Sequence, residues 1–158
     1  MIKKTLKRKI ILVIEDDRPL LEVINDKLEK SGFDVISARS VNQAFNPKLG
    51  KKEAGPITMN SIKEAVAYLE DLERVDAIWL DHHLVGEENG LDFVQKFKAN
   101  GGACKKAPIF VVSNAASPKT IKSYIASGAS KYYIKSNHRL DEIVKDINLF
   151  LSSPLKSC

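Results

Sequence analysis

Three carboxylates stand in a row at Glu15, Asp16 and Asp17, directly after the apolar run Ile10 to Ile14. Asp81 closes a second apolar run, Ala77-Ile78-Trp79-Leu80, which itself follows Asp76. Two further runs stop at polar groups of another kind: Pro108 to Val112 stops at the hydroxyl of Ser113, and Lys131 to Ile134 at the amine of Lys135. Glu15, Asp16 and Asp81 together would make a hard, oxygen-rich cation site. Mg²⁺ suits it, because that ion takes few protein ligands, keeps several waters and leaves room for a phosphoryl oxygen. Lys135 adds a mobile cation and Ser113 a hydroxyl donor, both able to hold phosphoryl oxygens. One acid at the end of a strand is more simply a cap. Three at one junction exceed what a cap needs, and crowded carboxylates repel unless a cation binds them.

These side chains can act together only if the chain carries them to one edge. Runs without polar alternation are buried on both faces, as in the central strands of a parallel sheet. Strands are therefore predicted at Ile10 to Ile14, Phe33 to Ile36, Ala77 to Leu80, Pro108 to Val112 and Lys131 to Ile134. Helices alternate with them. Asp17 caps the first, whose apolar stripe is Leu20, Leu21, Ile24 and Leu28 and which Gly32 ends. Ser61-Ile62-Lys63-Glu64 reads as a capping box opening the second, with Ala65, Val66, Leu69 and Leu72 on its inner face. Leu91, Phe93, Val94 and Phe97 mark the third. Ser117-Pro118 opens the fourth, with Ile121, Tyr124 and Ile125 facing inward and Gly128 closing it. Leu140, Ile143, Val144, Ile147, Phe150 and Leu151 mark the fifth. The predicted fold is an α/β, flavodoxin-like, doubly wound five-stranded parallel sheet of order 2-1-3-4-5 with helices on both faces. In that order strands 1 and 3 are neighbours at the topological switch point, where ligands bind beyond the carboxyl ends of the strands.

The length of 158 residues suits one domain, and 44% apolar residues make it globular. It divides into a basic N-terminal arm at 1–8, the domain at 9–152 and a tail at 153–158. About 38–59 forms a long insertion with Pro47, Gly50, Gly55, Pro56 and several lysines but no sustained period. No apolar stretch is long enough to cross a membrane, and the run after the basic arm is too short for a signal peptide, so the expectation is a cytoplasmic protein. Cys104 and Cys158 lack any metal or redox spacing and read as ordinary thiols. The net charge of +5 is scattered, with no basic recognition helix, which argues against direct nucleic-acid binding.

The strand-end residues resemble the receiver domain of two-component response regulators, with a stand-alone chemotaxis-regulator-like receiver as the nearest form. The resemblance runs from Lys9 to about Leu151. It is carried by Ile11-Leu12-Val13-Ile14-Glu15-Asp16-Asp17, Trp79-Leu80-Asp81-His82-His83-Leu84, Gly90-Leu91, Val112-Ser113, Gly128-Ala129 and Tyr132-Tyr133-Ile134-Lys135. It implies that Asp81 is the phosphoacceptor, a carboxylate nucleophile that forms an acyl phosphate. Glu15 and Asp16, with Asp81 and the backbone carbonyl of His83, would hold Mg²⁺. Ser113 would be the switch hydroxyl, Lys135 the neutralising lysine and Tyr132 the aromatic switch. His83, two residues after the acceptor, would help set the lifetime of the acyl phosphate. The implied partners are a sensor histidine kinase or histidine phosphotransfer protein upstream, and a protein target on the face of the fourth helix, fifth strand and fifth helix. Readout would be by protein contact or phosphorelay, with no direct nucleic acid and no membrane span.

Several positions depart from that pattern. Glu15-Asp16 replaces a common Asp-Asp, Val85 replaces a proline, and Ser136 stands where a proline usually follows the lysine. A cis bond before a residue other than proline costs about 2.5–4 kcal/mol, so Lys135 is expected to be held differently. Adjacent His82 and His83 are expected to diverge on leaving the strand, which disfavours a zinc pair. Two rival readings stand beside the receiver. One is a phosphorylation-independent receiver-like scaffold. The other is a Mg²⁺-dependent aspartyl phosphatase, whose usual Asp-x-Asp is here Asp81-His82-His83.

Overall fold

The computed structural model describes residues 7–39, 57–58, 75–84, 88–100, 106–115 and 117–153. Strands β1 (Ile10–Ile14), β2 (Asp34–Arg39), β3 (Ile57–Thr58), β4 (Ala77–Leu80), β5 (Ile109–Ser113) and β6 (Lys131–Ile134) form one parallel sheet of order β3-β2-β1-β4-β5-β6. The five predicted strands therefore stand in the predicted order. The described helices are α1 (Arg18–Lys30), α2 (Gly90–Asn100), α3 (Pro118–Ser127) and α4 (Leu140–Ser152). The capping box at Ser61 and the helix predicted to follow it lie outside the described residues.

The long stretch that shows no sustained period contributes strand β3, which extends the β2 edge through the pairs Ala38↔Ile57 and Arg39↔Thr58. Two residues are too few to show a period of two, so no alternation could announce it.

The sheet separates two apolar layers. Leu12, Ile14, Ile78, Leu80, Ile109 and Val111 pack with Phe93, Val94 and Phe97 of α2 and Tyr124 of α3. On the other face Ile11, Val13, Ala77, Trp79, Phe110 and Val112 meet Leu21, Ile24 and Leu28 of α1 and Ile143, Val144 and Ile147 of α4. Adjacent residues of each central strand thus serve opposite layers, which is why the runs lack polar positions. The helix starts follow the sequence signals. Asp17 accepts from the Leu20 amide at 2.9 Å, and Ser117 from the Thr120 amide at 3.1 Å. Gly32 and Gly128, just beyond α1 and α3, take φ of +94° and +109°, the left-handed turn that glycine adopts without strain. On α3 only part of the predicted face is covered: Tyr124 is buried, but Ile125 is 48% exposed.

Two polar contacts set the lower edge of the sheet, opposite the strand ends that carry the acids. The Asp76 carboxylate accepts from the Ile10 amide at 2.7 Å, tying the start of β4 to the start of β1. Arg8 donates to the carbonyls of Glu29, Gly32 and Phe33 at 2.8, 3.0 and 2.8 Å. A cation there meets both orphan carbonyls and the negative end of the α1 dipole. Arg8→Ala should therefore lower stability by about 1 kcal/mol, given the exposure of the site. Urea unfolding would read this as a lower midpoint at unchanged slope.

Candidate functional site

The ladder continues one residue past the strands and sets the acids side by side. Glu15 N–H donates to Ala38 O at 3.2 Å, and Asp81 N–H donates to Ile14 O at 3.0 Å. Glu15 and Asp81 thus leave neighbouring strands β1 and β4 at the same level. Ser113 is the last residue of β5, and Lys135 follows β6 as the first residue of a short turn at Lys135–Asn137. All four sequence-predicted positions reach the carboxyl edge of the sheet, at the switch point between β1 and β4.

Their distances make one cluster. One carboxylate oxygen from each of Glu15, Asp16 and Asp81 lies within 4.8 Å of the others. Lys135 Nζ donates to Glu15 Oε2 at 3.1 Å and lies 3.3 Å from Asp81 Oδ2. The Glu15 and Asp81 side chains are 1% and 7% exposed, so their charges have little water and depend on partners. Burial, and then repulsion from Asp81, push the Glu15 carboxyl up to about 7 despite the opposing pull of Lys135. Burial works against the Lys135 charge, but Asp81 and Glu15 together outweigh it and hold that amine above its ordinary value. The Lys135–Ser136 peptide is trans. Lys135 nonetheless reaches both acids.

The donor set fits Mg²⁺. Octahedral ligands at about 2.1 Å stand roughly 3 to 4.2 Å apart, and three carboxylate oxygens already within 4.8 Å need only small rotations to close on one ion. Two of them are buried beside one lysine, so the pocket holds more negative than positive charge.

Ser113 is fully buried, and its Oγ accepts from the Ala115 amide at 3.2 Å. Tyr132 is half-buried against the α2/α3 layer and donates its hydroxyl to Ala115 O at 2.5 Å. Burial raises the Tyr132 phenol above its usual range, and a hydrogen bond with Ser113 works against that rise. Both predicted switch residues therefore grip the loop that follows β5.

His82 and His83 do not diverge as the sequence suggested. Their rings meet edge to face with centroids 4.8 Å apart. The reason is that β4 ends at Leu80, so strand alternation no longer governs these two positions. His82 Nδ1 lies 2.6 Å from the hydroxyl of Tyr124, and burial lowers the pKa of its imidazole. The part of Tyr124 in this site had no sequence signal, because its position on the apolar stripe of α3 reads as core. His138 is exposed directly before α4 and meets the Tyr133 ring edge to face, and the Arg139 amide is capped by Glu142 at 3.0 Å.

A parallel 2-1-3-4-5 core with acids beyond β1 and β4, a hydroxyl at β5 and a lysine after β6 is the arrangement of response-regulator receiver domains. The chain belongs to the cyclic-phosphate processing receiver domain family, whose model matches residues 10–127. No curated protein matches it. Its fold is similar to the receiver domain protein (CheY-like) of Methanospirillum hungatei JF-1, with TM-score 0.67, 18% identity, and 92% of this chain and 94% of that one covered. A two-component response regulator from Clostridium difficile gives 0.68 at 18% identity, covering 91% and 96%. A response regulator from Thermotoga maritima gives 0.64 at 21%, covering 93% and 100%. No described helix is long and apolar enough to cross a membrane.

Because Glu15 binds its proton more tightly folded than unfolded, the metal-free protein should lose stability as pH rises from 4.5 towards about 7. Thermal melts in chelator should show this fall, and Glu15→Gln should flatten it. Lys135→Ala leaves two buried acids without their cation and should cost on the order of 3 kcal/mol at neutral pH.

Proposed function

We propose that this receiver accepts a phosphoryl group from a phosphohistidine donor onto Asp81, with Mg²⁺ bound by Glu15, Asp16, Asp81 and the backbone carbonyl of His83. The observation that carries the reading is the convergence of Glu15, Asp16 and Asp81 within 4.8 Å, with Lys135 3.3 Å from Asp81. An Asp81 oxygen supplies the electron pair for the new O–P bond. The P–N bond of the donor breaks, and its pair stays on the imidazole nitrogen. Mg²⁺, when bound, neutralises charge on the phosphoryl oxygens, and Lys135 shares that task. Ser113 donates its hydroxyl to a phosphoryl oxygen. Such transfer needs little beyond positioning and charge neutralisation, which these residues supply.

On this reading phosphorylation biases two arrangements of the Ser113–Ala115–Tyr132 contact. The upstream partner is a histidine kinase or histidine phosphotransfer protein. The signal passes by protein contact at the α3–β6–α4 face or by onward transfer of the phosphate.

A second reading is favoured by the family's description and by two imidazoles beside Asp81: hydrolysis of a cyclic phosphate. There a water oxygen attacks phosphorus and gives up its proton to a nearby carboxylate, while one ring P–O bond breaks with its electron pair on the leaving oxygen. That oxygen takes a proton, which His82 or His83 would give.

Intact mass after incubation with a small phosphodonor separates the readings. The first expects a single Mg²⁺-dependent phosphoryl adduct on the wild type, none on Asp81→Asn and no turnover of a cyclic nucleotide. Turnover without a lasting adduct would establish the second. Neither result, under conditions where a known receiver is labelled, would leave a scaffold that works without phosphate.

A further inference from the structure

The loop that leaves Asp81 is held from an unexpected side. Asp81 Oδ1 accepts from the His82 amide at 2.7 Å, so the backbone of His82 orients the acceptor carboxylate. His82 is in turn held at two points. Its carbonyl accepts from the Gly90 amide at 3.0 Å, and its Nδ1 meets the Tyr124 hydroxyl at 2.6 Å. These contacts converge tightly. A Cβ placed on Gly90 would lie 2.5 Å from the Asp81 carbonyl oxygen, 2.6 Å from the Tyr124 hydroxyl and 3.2 Å from the His82 Cα. Only a residue without a side chain leaves room for the phenol to reach that loop.

The proton in the short contact can be placed. Tyr124 is fully buried, and among the described residues its hydroxyl has His82 Nδ1 as its hydrogen-bond partner. A buried hydroxyl left without an acceptor costs free energy, so Tyr124 donates and Nδ1 accepts. The remaining imidazole proton of neutral His82 then sits on Nε2. The same phenol ring lies 5.4 Å from the ring of Tyr132, which bonds the loop after Ser113. Tyr124 therefore touches both the acceptor loop and the switch side of the pocket.

We infer that Tyr124 is a positioning residue for the chemistry at Asp81: through His82 it fixes one imidazole tautomer and the backbone amide that orients the acceptor carboxylate. This rests on the phosphoacceptor reading for its effect on rate, but the tautomer follows from the contact itself. Loss of the hydroxyl frees the His82 ring and loosens the amide on Asp81 Oδ1, while the aromatic packing of Tyr124 stays.

The experiment uses the full chain, labelled with ¹⁵N-histidine, alongside Tyr124→Phe. The wild type should show His82 with Nδ1 unprotonated and Nε2 protonated. Tyr124→Phe should show exchanging tautomers. Labelling of Asp81 by phosphoramidate in Mg²⁺, in which the P–N bond breaks and ammonia leaves, should slow about five- to tenfold, the worth of one hydrogen bond. A merely structural role would leave the tautomer signature where it was. A wild-type His82 protonated on Nδ1 overturns the inference without any variant, so it stays testable even where Tyr124→Phe fails to fold. In a folded Tyr124→Phe, unchanged imidazole shifts or an unchanged labelling rate also overturn it. No labelling of the wild type would instead sink the phosphoacceptor reading, and the imidazole spectrum would still decide the tautomer.

Discussion

Two carboxylates, Glu15 and Asp81, are held out of water side by side with one lysine between them. That surplus of negative charge is the constraint on which the rest of the molecule depends. Desolvated like charges persist only where the scaffold leaves them no way to separate. Here the ladder supplies that restraint, because the amides of Glu15 and Asp81 are still paired to neighbouring strands beyond the last strand residue. The two apolar layers keep those strands from sliding, since a slip of one residue would send every inward side chain to the opposite layer. Core packing thus maintains an electrostatic arrangement that the site would not adopt alone. A hard cation held there would relieve it, and would so link metal binding to the stability of the domain.

Much of this was legible in the sequence because burial on both faces writes itself as unbroken apolar runs. Ile10 to Ile14, Ala77 to Leu80 and Ile109 to Val112 end at Glu15, Asp81 and Ser113, so the strand ends and the chemistry were visible together. The parallel sheet followed from the alternation of strands with helices, and the flavodoxin-like order was the one that fitted the polar strand ends best. Side chains that act after the strand has ended were not legible. His82 and His83 meet because backbone periodicity has lapsed by then. Tyr124 was hidden for the opposite reason: its periodicity was correct for a core residue, and only its hydroxyl gives it a second task. Ile125 sits on the predicted stripe of α3 yet remains 48% exposed, since a helix lying on a sheet covers a narrower arc than its apolar residues span. The Ile57–Thr58 strand is defined by its neighbour β2 and not by its own pattern.

One departure from the usual receiver pattern, Ser136, also finds a physical account. Ser136 removes the proline after the lysine, yet Lys135 contacts both acids across a trans peptide. A long flexible side chain on a fixed strand end reaches its partners without the turn that proline imposes, and the short turn at Lys135–Asn137 carries the chain away instead.

The single tryptophan gives the two layers distinct voices. Trp79 is two residues before Asp81, 1% exposed, and its indole nitrogen has no hydrogen-bond partner among the described residues. Its ring belongs to the layer of α1 and α4, whereas Tyr124 and Tyr132 belong to the other. An indole in so dry a setting has blue-shifted emission, which moves to longer wavelength when water or a polar group arrives. Its fluorescence is therefore an internal gauge of one face of the sheet. Events confined to the tyrosine face would pass it unseen, and loosening of the whole sheet would not.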